Sequence, residues 1–489
     1  MNSKLLPPWQ KLQRAWRDWR RADGLPDIPP DLPPEEGGHV EKLMSECLAA
    51  RRGEVSARQH AAMLGEFYLT LNSVGRKRFL DILAHRFSVD RDLVRQACRS
   101  LTESQDEQDF PRQVRALREV LVPPRLQLVQ QFTALPQGGK FLIDMRADLL
   151  GFLPDAPELA GLDFDLKQLL ATWFDVGFLR VERITWQSPA ALLEKLMAYE
   201  AVHAIDSWRD LHNRLESDRH CYAFFHPVLP EEPLIFIEVA LVKGLSTSIQ
   251  TLLDEKAPDI DPAKADTAIF YSISNTQAGL KGISFGPFLI KKVVDSLRGS
   301  LPNMKTFSTL SPIPGFRRWL ERHLESGTDD EEVEALRAAL AEAAGLLKVD
   351  ATLPAVIDDQ RWTALPEASG LLKEPLLVLC ARYLHERRGK DGAPLDPVAR
   401  FHLGNGARIE QINWQGDVSS KGLRESCGLM VNYRYRLEEI EQNIEAYATD
   451  KQIAAAPRVR SLLNEEGPTR KNLAGLRRLL PIGRNTEPS

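Results

Sequence analysis

The sequence predicts an α + α/β protein, with a helical half over residues 1–175 and an α/β domain over 176–489. Three observations predict it. Helical periodicity dominates from Val40 to about Trp173, and strand-like alternation sets in near Val176. Asp266 to Trp319 then reads strand, glycine turn, helix, strand and rigid turn. A chain of 489 residues has length for two or three domains, and 43% hydrophobic with 27% charged residues describes a full-sized globular core. A net charge of −5 excludes global attraction to nucleic acid or an anionic membrane. Five scattered cysteines read as reduced thiols, with neither a disulfide framework nor a zinc set.

No apolar run approaches the ~20 residues that cross a bilayer, and the N-terminus lacks the apolar centre of a secretory signal. Lys11 to Arg21 forms a basic amphipathic helix with Trp9, Leu12, Trp16 and Trp19 on one face. A mitochondrial transit peptide has that look, but Asp18 and three tryptophans fit a packed helix better. Residues 24–38 are rich in proline and acid and predict an extended connector. Helices follow at Glu41–Arg52, Ser56–Ser73, Val74–Phe87, Asp90–Thr102 and Asp109–Val120, with Asp90 and Asp109 as N-caps. Gly138 and Gly139 break the pattern before Phe141–Leu150, and Leu166–Trp173 is a last short helix.

In the second half, His220–Val228 and Leu234–Val242 predict a hairpin across Leu229–Pro233. Ala268–Ser274 is a strand, and Gly279, Gly282 and Gly286 punctuate the turn before a helix, Phe288–Leu297, that Ser284 is suited to cap. Such a turn has two readings: glycines at positive φ, or free N–H groups at a helix start that take a phosphate. The spacing matches neither the dinucleotide nor the P-loop pattern, and Lys291 and Lys292 lie too far into the helix for a P-loop lysine. Thr306–Leu310 is the next strand, ending at Ser311-Pro-Ile-Pro-Gly315. A helical insertion over about 316–400 holds Phe316–Leu324, Asp329–Lys348 and Leu372–Glu386; strands resume at Arg408–Trp414 and Gly428–Tyr435. The closing basic residues, from Arg470 to Arg484, read as a solvated terminus.

Few residues suit proton transfer. His402 falls in a loop-like Phe401-His-Leu-Gly-Asn-Gly406, and Ser311 sits before Pro312, which holds its backbone extended. Tyr435 closes the polar–aromatic alternation Asn432-Tyr-Arg-Tyr435. His203, His220 and His226 lack metal-ligand spacing, so no metal is expected.

Several blocks carry a more specific signal: Phe270-Tyr-Ser-Ile-Ser274, Gly279-Leu-Lys-Gly-Ile283, Phe307 to Phe316, Ile412-Asn-Trp414 and Ser426-Cys-Gly-Leu-Met430. With Asn432-Tyr-Arg-Tyr435, Trp186-Gln-Ser-Pro189 and Glu200-Ala-Val-His203, they run in the order of the malonyl-CoA decarboxylase family, which the chain resembles to roughly Tyr447. The resemblance implies a helical oligomerisation domain and a catalytic domain of the GNAT-like, acyl-CoA-binding fold. It matches Ser311 and His402 to the catalytic pair and Tyr435 to a site tyrosine. It assigns Lys281, Gly282, Ile283, Ser284, Phe285, Gly286 and Pro287 to the malonyl-CoA-binding segment. Animal members carry a glutamate where this chain has Ser284.

The reaction implied is malonyl-CoA to acetyl-CoA and CO2, with neither metal nor organic cofactor, because the thioester itself takes up the electrons. Backbone N–H groups around Ser274 to Thr276 are the expected oxyanion donors. A homotetramer joined through the helical domain and a cytoplasmic location are expected, with no nucleic-acid or membrane partner. The mitochondrial matrix is the alternative location, and the ending Glu487-Pro-Ser489 is no peroxisomal signal. Two rival functions remain open: a CoA-dependent acyltransferase on the same fold, and a non-catalytic CoA-binding scaffold.

Overall fold

A computed structural model describes residues 28–463, apart from 50–53, 104–107, 136, 259, 284, 286–287, 327–329 and 387. The amphipathic stretch Lys11–Arg21 and the basic tail therefore lie outside the described residues. The chain divides into two compact units. One takes residues 1–180 with 225–234 and 275–284; the other takes 181–224, 235–274 and 285–489.

The first unit is helical: α1 Gly37–Ala49, α2 Glu54–Thr70, α3 Ser73–Arg86, α4 Arg91–Glu103, α5 Phe110–Val120, α6 Pro124–Gln131, α7 Gly138–Phe152 and α8 Ala160–Trp173. Asp90 caps α4 as expected, its Oδ1 accepting from the N–H groups of Asp92 and Leu93 at 2.9 and 3.1 Å. Asp109 does not cap α5. Its own backbone is helical, φ −82° and ψ −19°, which turns the side chain away from the free N–H groups. Gly138 and Gly139 open α7 rather than interrupt it. A Cβ on Gly138 would stand 2.2 Å from the carbonyl oxygen of Phe132, so the chain there needs glycine for close approach.

Buried Arg146 on α7 organises this unit's end. Its Nε donates to Asp163 at 2.8 Å, and its Nη1 donates to the carbonyls of Gly279 and Lys281 at 2.5 and 3.0 Å. Two carbonyls and a carboxylate satisfy a guanidinium that would otherwise be costly to bury.

The second unit is a seven-stranded sheet with helices, in strand order β1-β2-β3-β4-β5-β7-β6. Its strands are β1 Arg180–Ile184, β2 Arg219–Phe225, β3 Ile235–Val242, β4 Thr267–Asn275, β5 Thr306–Thr309, β6 Arg408–Asn413 and β7 Met430–Tyr435, and the helices α9 Ala190–Tyr199, α10 Trp208–Asn213 and α11 Ile249–Leu252 lie among the first four. β2 and β3 form the antiparallel hairpin that their patterns predict. β4 and β5 run parallel, and the helix between them, α12 (Phe288–Ser300), buries Leu289, Ile290, Val293, Val294 and Leu297 on one face. β7 pairs antiparallel with both β5 and β6, which makes the sheet mixed.

The predicted insertion holds α13 Phe316–Glu325, α14 Glu331–Leu347, α15 Leu353–Asp358 and α16 Pro366–His385. Asp330 caps α14, and Arg382 on α16 pairs with Asp330 and Glu332 at 2.9 and 2.7 Å. Among the described residues, no helix is long and apolar enough to cross a membrane.

Candidate active site

Three side chains far apart in sequence meet at the β5–β7 end of the second unit. Ser311 lies just past β5, where the main chain exchanges hydrogen bonds with Val431: its N–H donates at 2.8 Å and its carbonyl accepts at 2.9 Å. Pro312 and Pro314 then stiffen the turn and set its direction. His402 rides on a helix, α17 Pro397–Gly404, and not in the loop expected from its glycine neighbours. Asp396 caps that helix, its Oδ1 accepting from the Ala399 N–H at 2.8 Å, and Pro397 occupies the first turn. Burial pushes the Asp396 carboxyl up to about 6. Tyr435 ends β7.

The geometry joins them in a line. Ser311 Oγ is 3.1 Å from His402 Nε2, and His402 Nδ1 is 2.8 Å from the Tyr435 hydroxyl. The imidazole stacks on Tyr433, with centroids 4.6 Å apart and planes 22° from parallel. Exposure is 5% for Ser311 and 3% each for His402 and Tyr435. Burial holds His402 down at about 3, so its ring is neutral at physiological pH. Burial also drives Tyr435 well above the usual phenol value, which keeps it protonated.

Side chains also replace main-chain ladder bonds between β5 and β7 here. The Tyr433 N–H donates to Thr309 Oγ1 at 3.1 Å, and Ser308 Oγ donates to the Tyr433 carbonyl at 3.2 Å. Buried Asn432 donates to the carbonyls of Thr309 and Ser246 at 2.7 and 3.0 Å, and accepts from Asn413 at 2.8 Å. Beside this end of the sheet is a cleft of about 230 Å³, walled by Tyr435, Ile290, Val294, Leu437, Ile440 and Ile444, with Lys291, Asn405 and Glu441 at its polar positions.

The segment Lys281 to Pro287 is seen only in part. Ser284, Gly286 and Pro287 lie outside the described residues. Lys281, Gly282 and Ile283 belong to the first unit, where Arg146 holds the Lys281 carbonyl, and Phe285 is buried in the second. Gly282 has φ +78°, while Gly279 is required because a Cβ there would stand 1.8 Å from the Ile143 carbonyl oxygen. One expected oxyanion donor is excluded: the Thr276 N–H is already spent on the Leu234 carbonyl at 3.0 Å. Among the described residues, no group of three or more His, Cys, Asp or Glu is placed to hold a metal ion.

Thr309, Asp396 and Arg146 were not singled out from sequence. Asp396-Pro397 is a helix-start signature and would have put His402 on a helix. Arg146 and Thr309 carry no local signal, since their roles depend on partners distant in sequence.

The family described as malonyl-CoA decarboxylase C-terminal domain matches residues 177–473, and the one described as malonyl-CoA decarboxylase N-terminal domain matches 87–174. A mitochondrial malonyl-CoA decarboxylase of Anser anser anser is 35% identical over 480 residues, 93% of this chain and 94% of that protein. Crystal structures of two bacterial malonyl-CoA decarboxylases are also similar. The one from Rhodopseudomonas palustris has a TM-score of 0.79 at 42% identity, covering 87% of this chain and 99% of its own. The one from Agrobacterium vitis has a TM-score of 0.77 at 40% identity, covering 87% and 100%. A helical N-terminal region, a mixed C-terminal sheet and these likenesses define an enzyme of the carboxy-lyase class. The chain belongs to the malonyl-CoA decarboxylase family.

Proposed function

We propose that the protein converts malonyl-CoA to acetyl-CoA and CO2, with Ser311, His402 and Tyr435 handling the proton. One observation carries this reading: the three residues picked out by family resemblance form a single buried hydrogen-bonded line, at 3.1 and 2.8 Å.

The substrate holds a carboxylate β to a thioester carbonyl. When the bond to CO2 breaks, its electron pair passes into an enolate whose charge rests on the thioester oxygen. Carbon then takes a proton. The thioester is the electron sink, so the chemistry itself calls for neither metal nor organic cofactor. The protein has to hold the carboxylate out of the carbonyl plane, aim donors at the forming oxyanion and supply the proton.

The site's electrostatics suit this task. A neutral His402 offers no cation to the substrate carboxylate, so it does not stabilise the state that must lose its charge. The dry surroundings strengthen any hydrogen bond to the growing enolate. Backbone N–H groups near Ser274 and Asn275 are the proposed oxyanion donors, where a well-aimed donor contributes about 3–4 kcal/mol. His402 is the proton donor of the pair and acts on the substrate by way of Ser311, while Tyr435 orients the ring through its hydrogen bond to Nδ1.

The GNAT-like reading of the second domain draws support from the parallel β4–β5 pairing. Its register runs only to Phe270 and Thr309, while β4 continues to Asn275. In this reading the segment 281–287 takes the coenzyme. The helical first domain joins a homotetramer, and the enzyme works in the cytoplasm, or in the mitochondrial matrix as the alternative.

Incubating the enzyme with malonyl-CoA, EDTA and no acyl acceptor tests this directly. Acetyl-CoA and CO2 in equal amounts are expected, with methylmalonyl-CoA turned over more slowly. No CO2 without an added amine would point instead to an acyltransferase, and CoA binding with no product at all to a scaffold.

A further inference from the structure

We propose that Thr309 is a positioning residue that sets the direction of the hydrogen-bond line, leaving Ser311 at its proton-delivering end. The inference rests on the reading of Ser311, His402 and Tyr435 as the proton-handling set.

The argument follows single hydrogens. Thr309 Oγ1 is held in place by the Tyr433 N–H at 3.1 Å, and Ser311 Oγ donates to it at 2.8 Å. A serine hydroxyl has one hydrogen, so Ser311 can only accept in its 3.1 Å contact with His402 Nε2. Nε2 therefore carries the ring proton. The neutral ring has no second one, so Nδ1 is bare and accepts from the Tyr435 hydroxyl at 2.8 Å. Every hydrogen points the same way, from Tyr435 through His402 to Ser311 and on to Thr309.

That polarity is opposite to the one in a serine nucleophile, where the ring nitrogen accepts the serine proton. A nucleophile's histidine draws a proton off serine; here the line pushes one toward it. The step balances. As the carbon–carboxylate bond breaks, CO2 leaves and its electron pair forms the enolate. With substrate bound, the Ser311 hydrogen turns from Thr309 to the α-carbon, which takes it; Oγ takes the Nε2 proton, and Nδ1 takes the Tyr435 proton. His402 ends neutral with its tautomer reversed. Tyr435, which burial keeps protonated, takes a proton from water in the adjoining cleft as it gives its own, and exchange with solvent restores the Nε2–H tautomer before the next turnover. One proton is consumed from solvent per turnover. Thr309 gives and takes no proton itself; in the resting site it parks the serine hydrogen so that Nε2 cannot serve as a base.

The tautomer can be measured without substrate, by nitrogen NMR of protein labelled with 15N-histidine, using a His402→Gln difference spectrum to assign the ring. Wild type is expected to show protonated Nε2 and bare Nδ1, and Thr309→Ser to show the same with kcat within about threefold. Thr309→Val removes the acceptor, freeing the Ser311 hydroxyl to turn to Nε2. The ring proton should move to Nδ1, with kcat down about tenfold or more and KM within about twofold. A bare Nε2 in the wild-type spectrum overturns the proposal, as does Thr309→Val with an unchanged tautomer and unchanged kcat. If Thr309→Val does not fold, the wild-type spectrum and the kcat of Thr309→Ser still decide. Absence of CO2 release by wild type would sink the decarboxylase reading alone, since the tautomer is read independently.

Discussion

The amide of Asn432 donates to the carbonyl oxygen of Thr309 across 2.7 Å, joining β7 to β5 where side chains stand in for the ladder. The same amide donates to the part-buried Ser246 carbonyl and accepts from buried Asn413, and Asn432 itself is fully buried. Replacing it by leucine would orphan the buried Asn413 N–H, leave the Thr309 carbonyl only a 3.4 Å contact from Ser308 Oγ, and strip the part-buried Ser246 carbonyl of its donor. Each unpaired buried group costs about 1–3 kcal/mol, so Asn432→Leu is expected to lose about 2 kcal/mol or more of stability. Urea unfolding measures this, and an unshifted midpoint would show that the side-chain clamp contributes little.

His402→Asn keeps a polar side chain but removes the ring that bridges Ser311 and Tyr435. CO2 release from malonyl-CoA should fall by at least about 100-fold. Coenzyme affinity, measured by calorimetry with CoA, should hardly change, because the lesion lies in the chemical step. Near-normal turnover would remove His402 from the mechanism.

How far the sequence was legible depends on whether each cue was local. β4, α12 and β5 announce themselves through alternation, a 3.6-residue stripe and a Pro-Ile-Pro stop, so their predicted spans match closely. Ser311, His402 and Tyr435 came from resemblance; periodicity alone left each of them a structural residue. His402 was misread as a loop residue because Gly404 and Gly406 outweighed the Asp396-Pro397 start of its helix. Thr309 was invisible because its role depends on Tyr433, which lies more than a hundred residues away. The α7 start was misplaced for a similar reason. Its glycines answer to close approach by Phe132 and Val228, which no local pattern reports.

Gly279, just ahead of the segment given to malonyl-CoA, and Gly282, within it, sit three residues apart, yet they are needed for different reasons. A Cβ on Gly279 would overlap the Ile143 carbonyl at 1.8 Å, a backbone atom held within α7. Gly282 needs only its left-handed φ of +78°, with the end of the Lys167 side chain 3.4 Å from the added carbon. Gly282→Ala should therefore cost about 1–2 kcal/mol, and Gly279→Ala distinctly more, since two pieces of backbone must part. Comparing the two variants by thermal unfolding tests the assignment; equal losses would refute it.

His220 on β2 offers a pH signature. Its ring is 5% exposed and 3.3 Å from the Tyr222 hydroxyl. Burial, with the Arg183 charge adding to it, holds the imidazole down at about 4, although the Ser217 backbone and Asp218 pull the other way. The unfolded chain takes up a proton near the ordinary value of about 6.5, whereas the folded chain waits until about 4. Below pH 6.5 the unfolded state thus binds more protons, and stability falls with pH across that window. His220→Phe keeps a ring of similar size and does not titrate. Relative to that variant, wild type should lose about 3 kcal/mol between pH 6.5 and about 4. Denaturant titrations of both proteins across that range give the difference directly, and parallel curves would mean that His220 is not held neutral by the fold.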